Sequence, residues 1–261
     1  MKWFRRTRPG RPLRRRFADL QAMPEPARRL ALAGEEAVGW IEAAARHGLI
    51  EAQLLFGQAL LDRGEAAQAL SWFRVAASTG HAPALNMVGR CYEKGWGMPA
   101  DPASAAAHYR RAAEQGHDWA LFNLANLFLY GLGVARDRRQ AYDLYRSAAQ
   151  LGHAKAMNML GRAHEEGWAG SRDMAQAAVW YERAARAGDF RGQFNHAVLL
   201  AEHGRRDEAL DWFERAFAGG SPDFLVQAGR MLRASGDPVL QAAPDRVRRR
   251  SLPPAPAPRR R

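Results

Sequence analysis

The stretch His81 to Gly116, HAPALNMVGRCYEKGWGMPADPASAAAHYRRAAEQG, decides the fold. Written above His117 to Gly152 and His153 to Gly188, it falls into columns. Ala84, Ala120 and Ala156 coincide, as do Val88, Leu124 and Leu160, and then Gly95, Gly131 and Gly167. Asp101, Asp137 and Asp173 follow, then Ala105, Ala141 and Ala177, then Tyr109, Tyr145 and Tyr181. A glycine closes each copy, at Gly80, Gly116, Gly152 and Gly188, so the period is 36 residues. Self-similarity at a fixed period of this length marks a repeat array, in which each unit buries its apolar face on its neighbours. The columns extend outward at a spacing of 32, from Gly48 to Gly80 and from Gly188 to Gly220, without the middle Gly-x-Gly segment.

Each unit reads as two helices. In the clearest copy the first spans about 82–94, with Leu85, Val88 and Tyr92 on one stripe, and stops at Gly95-Trp96-Gly97, where glycine admits positive φ. Asp101-Pro102 starts the second helix: the carboxylate accepts from free backbone N–H groups, and proline sits at the first position, where no N–H is needed. Ala105, Tyr109, Ala112 and Ala113 form its core stripe. Gly57, Gly89, Ala125, Gly161 and Ala197 share one column of small residues, which predicts close approach of the two helices there.

The pattern A-x-x-x-[LV]-[GA]-x-x-[YF]-x-x-G-x-G-x(3)-D-x(3)-A-x(3)-Y-x-x-A-A-x-x-G, present from Ala84 to Gly116 and from Ala120 to Gly152, resembles the Sel-one-like repeat, a relative of the tetratricopeptide repeat. Ala156 to Gly188 departs from it at His164 and Ala169. The resemblance implies an all-α, right-handed α-solenoid of stacked helix-turn-helix repeats that serves as a non-catalytic adaptor or scaffold in protein complexes. Some secreted relatives carry a disulfide in each repeat and have been linked to β-lactam binding. This chain has a single cysteine, Cys91, which weakens any transfer of that activity, and nothing calls for an oxidising compartment.

Three segments follow: a basic tail over residues 1–29, the repeat solenoid over 30–236 and a Pro/Arg-rich disordered tail over 237–261. Residues 1–16 and 246–261 together hold 15 basic side chains and no acid. Removing those 15 from the chain's 39 leaves 24 basic against 27 acidic side chains, a net of −3, although the whole chain carries +12. The high charge belongs to the tails, and the solenoid is not a basic nucleic-acid surface. Leu252 to Pro258, LPPAPAP, favours polyproline II. Such arms dock on RNA, DNA or anionic lipid by charge, at about 1 kcal/mol per cation near a membrane. This gives an alternative function, a tail-driven nucleic-acid or membrane-surface protein with the solenoid as spacer; the bland reading is a solubilising terminus. No apolar run is long enough for a signal peptide or a membrane span, so a cytoplasmic location is expected. Lys2, Lys94 and Lys155 are the only lysines among 39 basic residues, which points to a GC-rich, bacterial genome.

No enzyme chemistry emerges: nucleophile, base and oxyanion donors do not converge in one repeat, and no cofactor or small-molecule substrate is called for. His81, His117 and His153 occur once per repeat, too far apart to share one metal, and sit where a polar residue caps the first helix. Asp189 and Ser221 continue that column. His164-Glu165-Glu166 lacks the second histidine of a zincin. Trp40, Trp72, Trp180 and Trp212 share a column read as core, whereas Trp96, Leu132 and Trp168 lie in the interhelical loops, where an exposed row would form a contact surface.

In related solenoids the first helices line the concave face. On them Asn86, Arg90 and Glu93, then Phe122, Asn126 and Leu129, then Asn158, Arg162 and Glu165 are each spaced i, i+4, i+7. This ladder suits a protein or peptide partner: asparagine clamps an extended backbone, arginine pairs with a carboxylate and Phe122 anchors an apolar side chain. The opposing reading is an ordinary solvated helix face.

Overall fold

The computed structural model describes residues 35–168 and 170–250. Among the described residues there are thirteen α-helices and no strand. In chain order they are α1 (Glu35–Arg46), α2 (Ile50–Asp62), α3 (Ala66–Ala77), α4 (Ala82–Lys94), α5 (Pro102–Ala113), α6 (Asp118–Tyr130), α7 (Arg138–Gln150), α8 (Ala154–Glu166), α9 (Met174–Arg186), α10 (Phe190–Glu202), α11 (Arg206–Gly219), α12 (Pro222–Arg233) and α13 (Pro238–Arg250). The chain forms two compact units, one ending at Arg136 and the other beginning at Asp137, so the division falls between α6 and α7. Within each unit consecutive helices pack pairwise, as in an α-solenoid: α2 on α3 and α4 on α5 in the first, α8 on α9 and α10 on α11 in the second.

The repeat columns are the core. Ala69, Phe73 and Ala76 of α3 are buried, as are Ala105, Tyr109 and Ala112 of α5, and Val88 and Cys91 of α4 share one core cluster with Ala69 and Phe73. The column of small residues has the predicted purpose. A Cβ on Gly57 would stand 2.4 Å from the Phe73 ring, on Gly89 2.6 Å from Tyr109 and on Gly161 2.5 Å from Tyr181. In these three repeats the aromatic ring of the second helix therefore lies directly on the backbone of its first helix.

The second glycine of the Gly-x-Gly loop does more than stop a helix. At φ +76°, Gly97 presses so close to α3 that a Cβ would meet the Ala66 carbonyl oxygen at 2.6 Å. Gly133, at φ +67°, would meet the Ala103 nitrogen of α5 at 2.3 Å. Each loop thus rests on the first turn of the second helix one repeat earlier.

Capping follows the sequence. Asp101 accepts from the Ala103 and Ser104 N–H groups at 3.1 Å, Asp137 from Gln140 and Asp173 from Gln176, both at 2.9 Å. His117 and His153 accept at Nδ1 from Ala120 and Ala156, each at 3.2 Å, and Asp189 and Ser221 cap their helices likewise. His81 is the exception: its Nδ1 is buried and makes no hydrogen bond.

One expectation needs correction. The segment from 237 onward, read as a disordered tail, is helical from Pro238 to Arg250. Asp237-Pro238 repeats the helix-starting chemistry of Asp101-Pro102, and Leu240 and Ala243 are buried against the core of the second unit. The N-terminal tail 1–29 and the proline-rich stretch 252–258 lie outside the described residues.

Candidate protein-interaction face on the first helices

Asn86 and Asn158, expected to clamp a peptide, are each only 6% exposed. The Oδ1 of Asn86 accepts from Nδ2 of Asn123 on α6 at 3.0 Å, and Oδ1 of Asn158 from Nδ2 of Asn195 on α10 at 2.9 Å. These amides tie successive first helices together. Asn123 and Asn195 escaped the column reading because each partner is 37 residues away, one more than the period. The sequence does alternate at this point: Asn86-Met87, Phe122-Asn123, Asn158-Met159 and Phe194-Asn195.

Glu93 and Glu165 look inward as well. Glu93 accepts from the Tyr109 hydroxyl at 2.7 Å and pairs with Lys94 at 2.6 Å, while Glu165 accepts from Tyr181 at 2.5 Å. Burial first, and then the bond to the carboxylate, push both phenols far above the ordinary tyrosine range. Arg162 donates to Glu166 at 2.6 Å and lies over the Trp168 indole, 5.6 Å from its centroid. Burial alone would raise the Glu166 carboxyl, but hydrogen bonds from Trp168 and Arg162, with the Arg162 charge, hold it below the usual carboxylate range. Arg90 lies over Trp96 at 5.0 Å. Leu129 is buried, and Phe122 and Asn126 are half-buried.

The loop residues do not form an exposed row. Trp168 is buried between Arg138 and Arg162 and donates from Nε1 to Glu166, whereas Leu132 is exposed. The tryptophan column is half-buried: Trp40, Trp72 and Trp212 pack against the core as expected, while Arg183 covers Trp180 at 4.7 Å and Arg215 covers Trp212 at 4.5 Å. Burial pushes the Cys91 thiol up to about 11, which leaves it an unreactive core residue. Among the described residues no group of His, Cys, Asp or Glu is placed to hold a metal, and no helix is long and apolar enough to cross a membrane.

What the ladder lacked is the rest of the α6 face. Trp119, Asn123, Asn126 and Tyr130 are spaced i, i+4, i+7, i+11, so one side of α6 carries them all. Trp119 is 44% exposed and Tyr130 57%, and Trp119 meets Phe122 edge-on at 6.3 Å. Neither belongs to a repeat column, but the helical spacing around Asn126 was available in the sequence.

Stacked helix pairs, glycine-seated aromatics and a face of aromatic, amide and arginine groups define a helical-repeat protein of the tetratricopeptide-like class. The family model described as Sel1 repeat matches residues 52–81, 82–117, 120–153, 154–189 and 192–221, and the chain belongs to that family. It is similar to a Sel1 repeat protein from Oxalobacter formigenes, with 26% identity over 85% of this chain and 95% of that one, at a TM-score of 0.65. A sel1 repeat protein from Klebsiella pneumoniae shares the fold at 19% identity, with 74% of this chain and 98% of that one covered and a TM-score of 0.53. PilF of Pseudomonas aeruginosa shares it at 20% identity, 77% and 91% coverage and a TM-score of 0.52. No curated protein matches the chain. Proteins built from these repeats generally act as scaffolds for protein–protein interaction.

Proposed function

We propose that this chain is a non-catalytic interaction scaffold that takes a peptide or helix of a partner protein along the first-helix face of α4 and α6. The observation that carries the reading is the exposure of Trp119 and Tyr130 on the same side of α6 as Asn126. Tryptophan and tyrosine anchor interfaces because they offer large apolar area with few rotors to freeze, and the desolvated centre of an interface usually contains them. The partly buried asparagine bond between α4 and α6 supports the face by fixing the two helices relative to each other.

The test is affinity capture from cell extract with the full chain and with the double variant Trp119→Ala and Tyr130→Ala, bound proteins being identified by mass spectrometry. Partners retained by the full chain should be lost from the variant while its circular dichroism stays unchanged. Undiminished capture by the folded variant rules the face out.

A further inference from the structure

Arg90 and Arg162 occupy the same column 72 residues apart, and each guanidinium lies over the indole of its own loop, Trp96 or Trp168. Four residues further along the helix the two sites differ in sign, Lys94 on α4 and Glu166 on α8. Arg162 is neutralised there by Glu166 at 2.6 Å. Arg90 is not: among the described residues it makes no ion pair, and its only hydrogen bond is a weak one from Nη1 to the Met87 Sδ at 3.6 Å. Glu93, the acid three residues on, is already engaged by Lys94 and by the Tyr109 hydroxyl.

A guanidinium presents five donors in a rigid fork that matches a carboxylate. Held half-buried against Trp96, the Arg90 fork is oriented in advance, and a carboxylate meeting it there gains two charge-assisted hydrogen bonds away from bulk water. Apolar anchors lie alongside. Asn86 bonds Asn123, and one turn beyond that bond Arg90 and Asn126 occupy corresponding places on α4 and α6; on α6 Trp119 lies one turn before Asn123 and Tyr130 one turn beyond Asn126. We infer that the α4–α6 face takes a protein segment in which a carboxylate, docked on Arg90, stands next to aromatic or aliphatic side chains received separately by Trp119 and by Tyr130. This deepens the scaffold reading and rests on it. The sister position at Arg162, with its own carboxylate in place, does not take such a segment.

The carboxylate can come from an Asp or Glu side chain or from a chain terminus, and two phage-displayed random peptide libraries separate these, one with free C-termini and one with internal loops. Both are panned on the full chain, on Arg90→Met and on Arg162→Met, where methionine keeps an apolar stem against the indole. The full chain and Arg162→Met should select acids adjacent to apolar residues, from both libraries for a side chain and from the first alone for a terminus. A synthetic peptide of the selected sequence should bind Arg90→Met about tenfold or more weakly, and Arg162→Met as it binds the full chain. Selected peptides without an acid, or ones that bind Arg90→Met undiminished, overturn the inference and leave the scaffold reading standing. If neither library yields a binder, the peptide-scaffold reading falls and the inference with it.

Discussion

The Tyr109 hydroxyl donates to the Glu93 carboxylate across the two helices of one repeat at 2.7 Å, and 72 residues later Tyr181 donates to Glu165 at 2.5 Å. The intervening column member, Tyr145, has Leu129 where the acid would stand. The bond therefore marks alternate repeats. It joins the ring that fills the core to the helix that carries the candidate face, so core packing and the placement of Arg90 are linked through α4.

Tyr109→Phe keeps the ring and removes the donor. It should cost about 1–2 kcal/mol, at the low end for a bond to a charged group because Glu93 keeps Lys94. Urea unfolding measures this; Glu93→Gln, which retains an acceptor, should cost less.

Gly89→Ala sets a methyl group 2.6 Å from the Tyr109 ring. Overpacking should destabilise by about 1–3 kcal/mol in spite of the better helix propensity of alanine. Gly39→Ala in α1 is the control: nothing lies within 4 Å of its Cβ, so it should gain about 0.5–1 kcal/mol. Thermal unfolding of both variants gives the two opposite signs.

Gly133→Ala combines a left-handed backbone at φ +67° with a Cβ 2.3 Å from the Ala103 nitrogen. It should lose more than about 2 kcal/mol, against about 1 for Gly116→Ala, which meets nothing within 4 Å. Amide exchange should quicken at the first turn of α5 in Gly133→Ala and not in Gly116→Ala.

Burial lowers the His117 imidazole below its ordinary value of 6.5, and the nearby Asp118 charge only partly opposes this. The neutral ring caps α6 by accepting from Ala120, and protonation at Nδ1 would remove that acceptor. Below 6.5 the unfolded chain binds a proton that the folded ring resists, so stability is complete above that pH and falls as pH drops toward the folded value. His117→Asn keeps a cap without titrating, and should flatten the decline in denaturation midpoint between neutral and mildly acidic pH.

The repeat columns carried the helix boundaries, the aspartate caps and the seating of rings on glycines, because each of these is local to one repeat and recurs in the next. The face was only partly legible. Column alignment compares residue i with i+36, but the asparagines of α4 and α6, and of α8 and α10, meet at i and i+37, so the Asn86–Asn123 bond is hidden in the columns and Asn86 reads as open to a ligand. Arg90 and Arg162 align as equals; their difference resides in Lys94 and Glu166, outside the repeat pattern. α13 was overlooked because its prolines and arginines outweighed Leu240 and Ala243, the two side chains that bury it.

The alternating Asn-Met and Phe-Asn pairs give the array a parity. Excising a single 36-residue copy from His117 to Gly152 would bring Met159 into the place of Asn123 and leave the Asn86 amide facing a thioether. Excising 72 residues restores the match. Gene duplication, loss or recombination within such a chain is therefore expected to preserve even numbers of repeats, and a designer who lengthens it should splice by the pair.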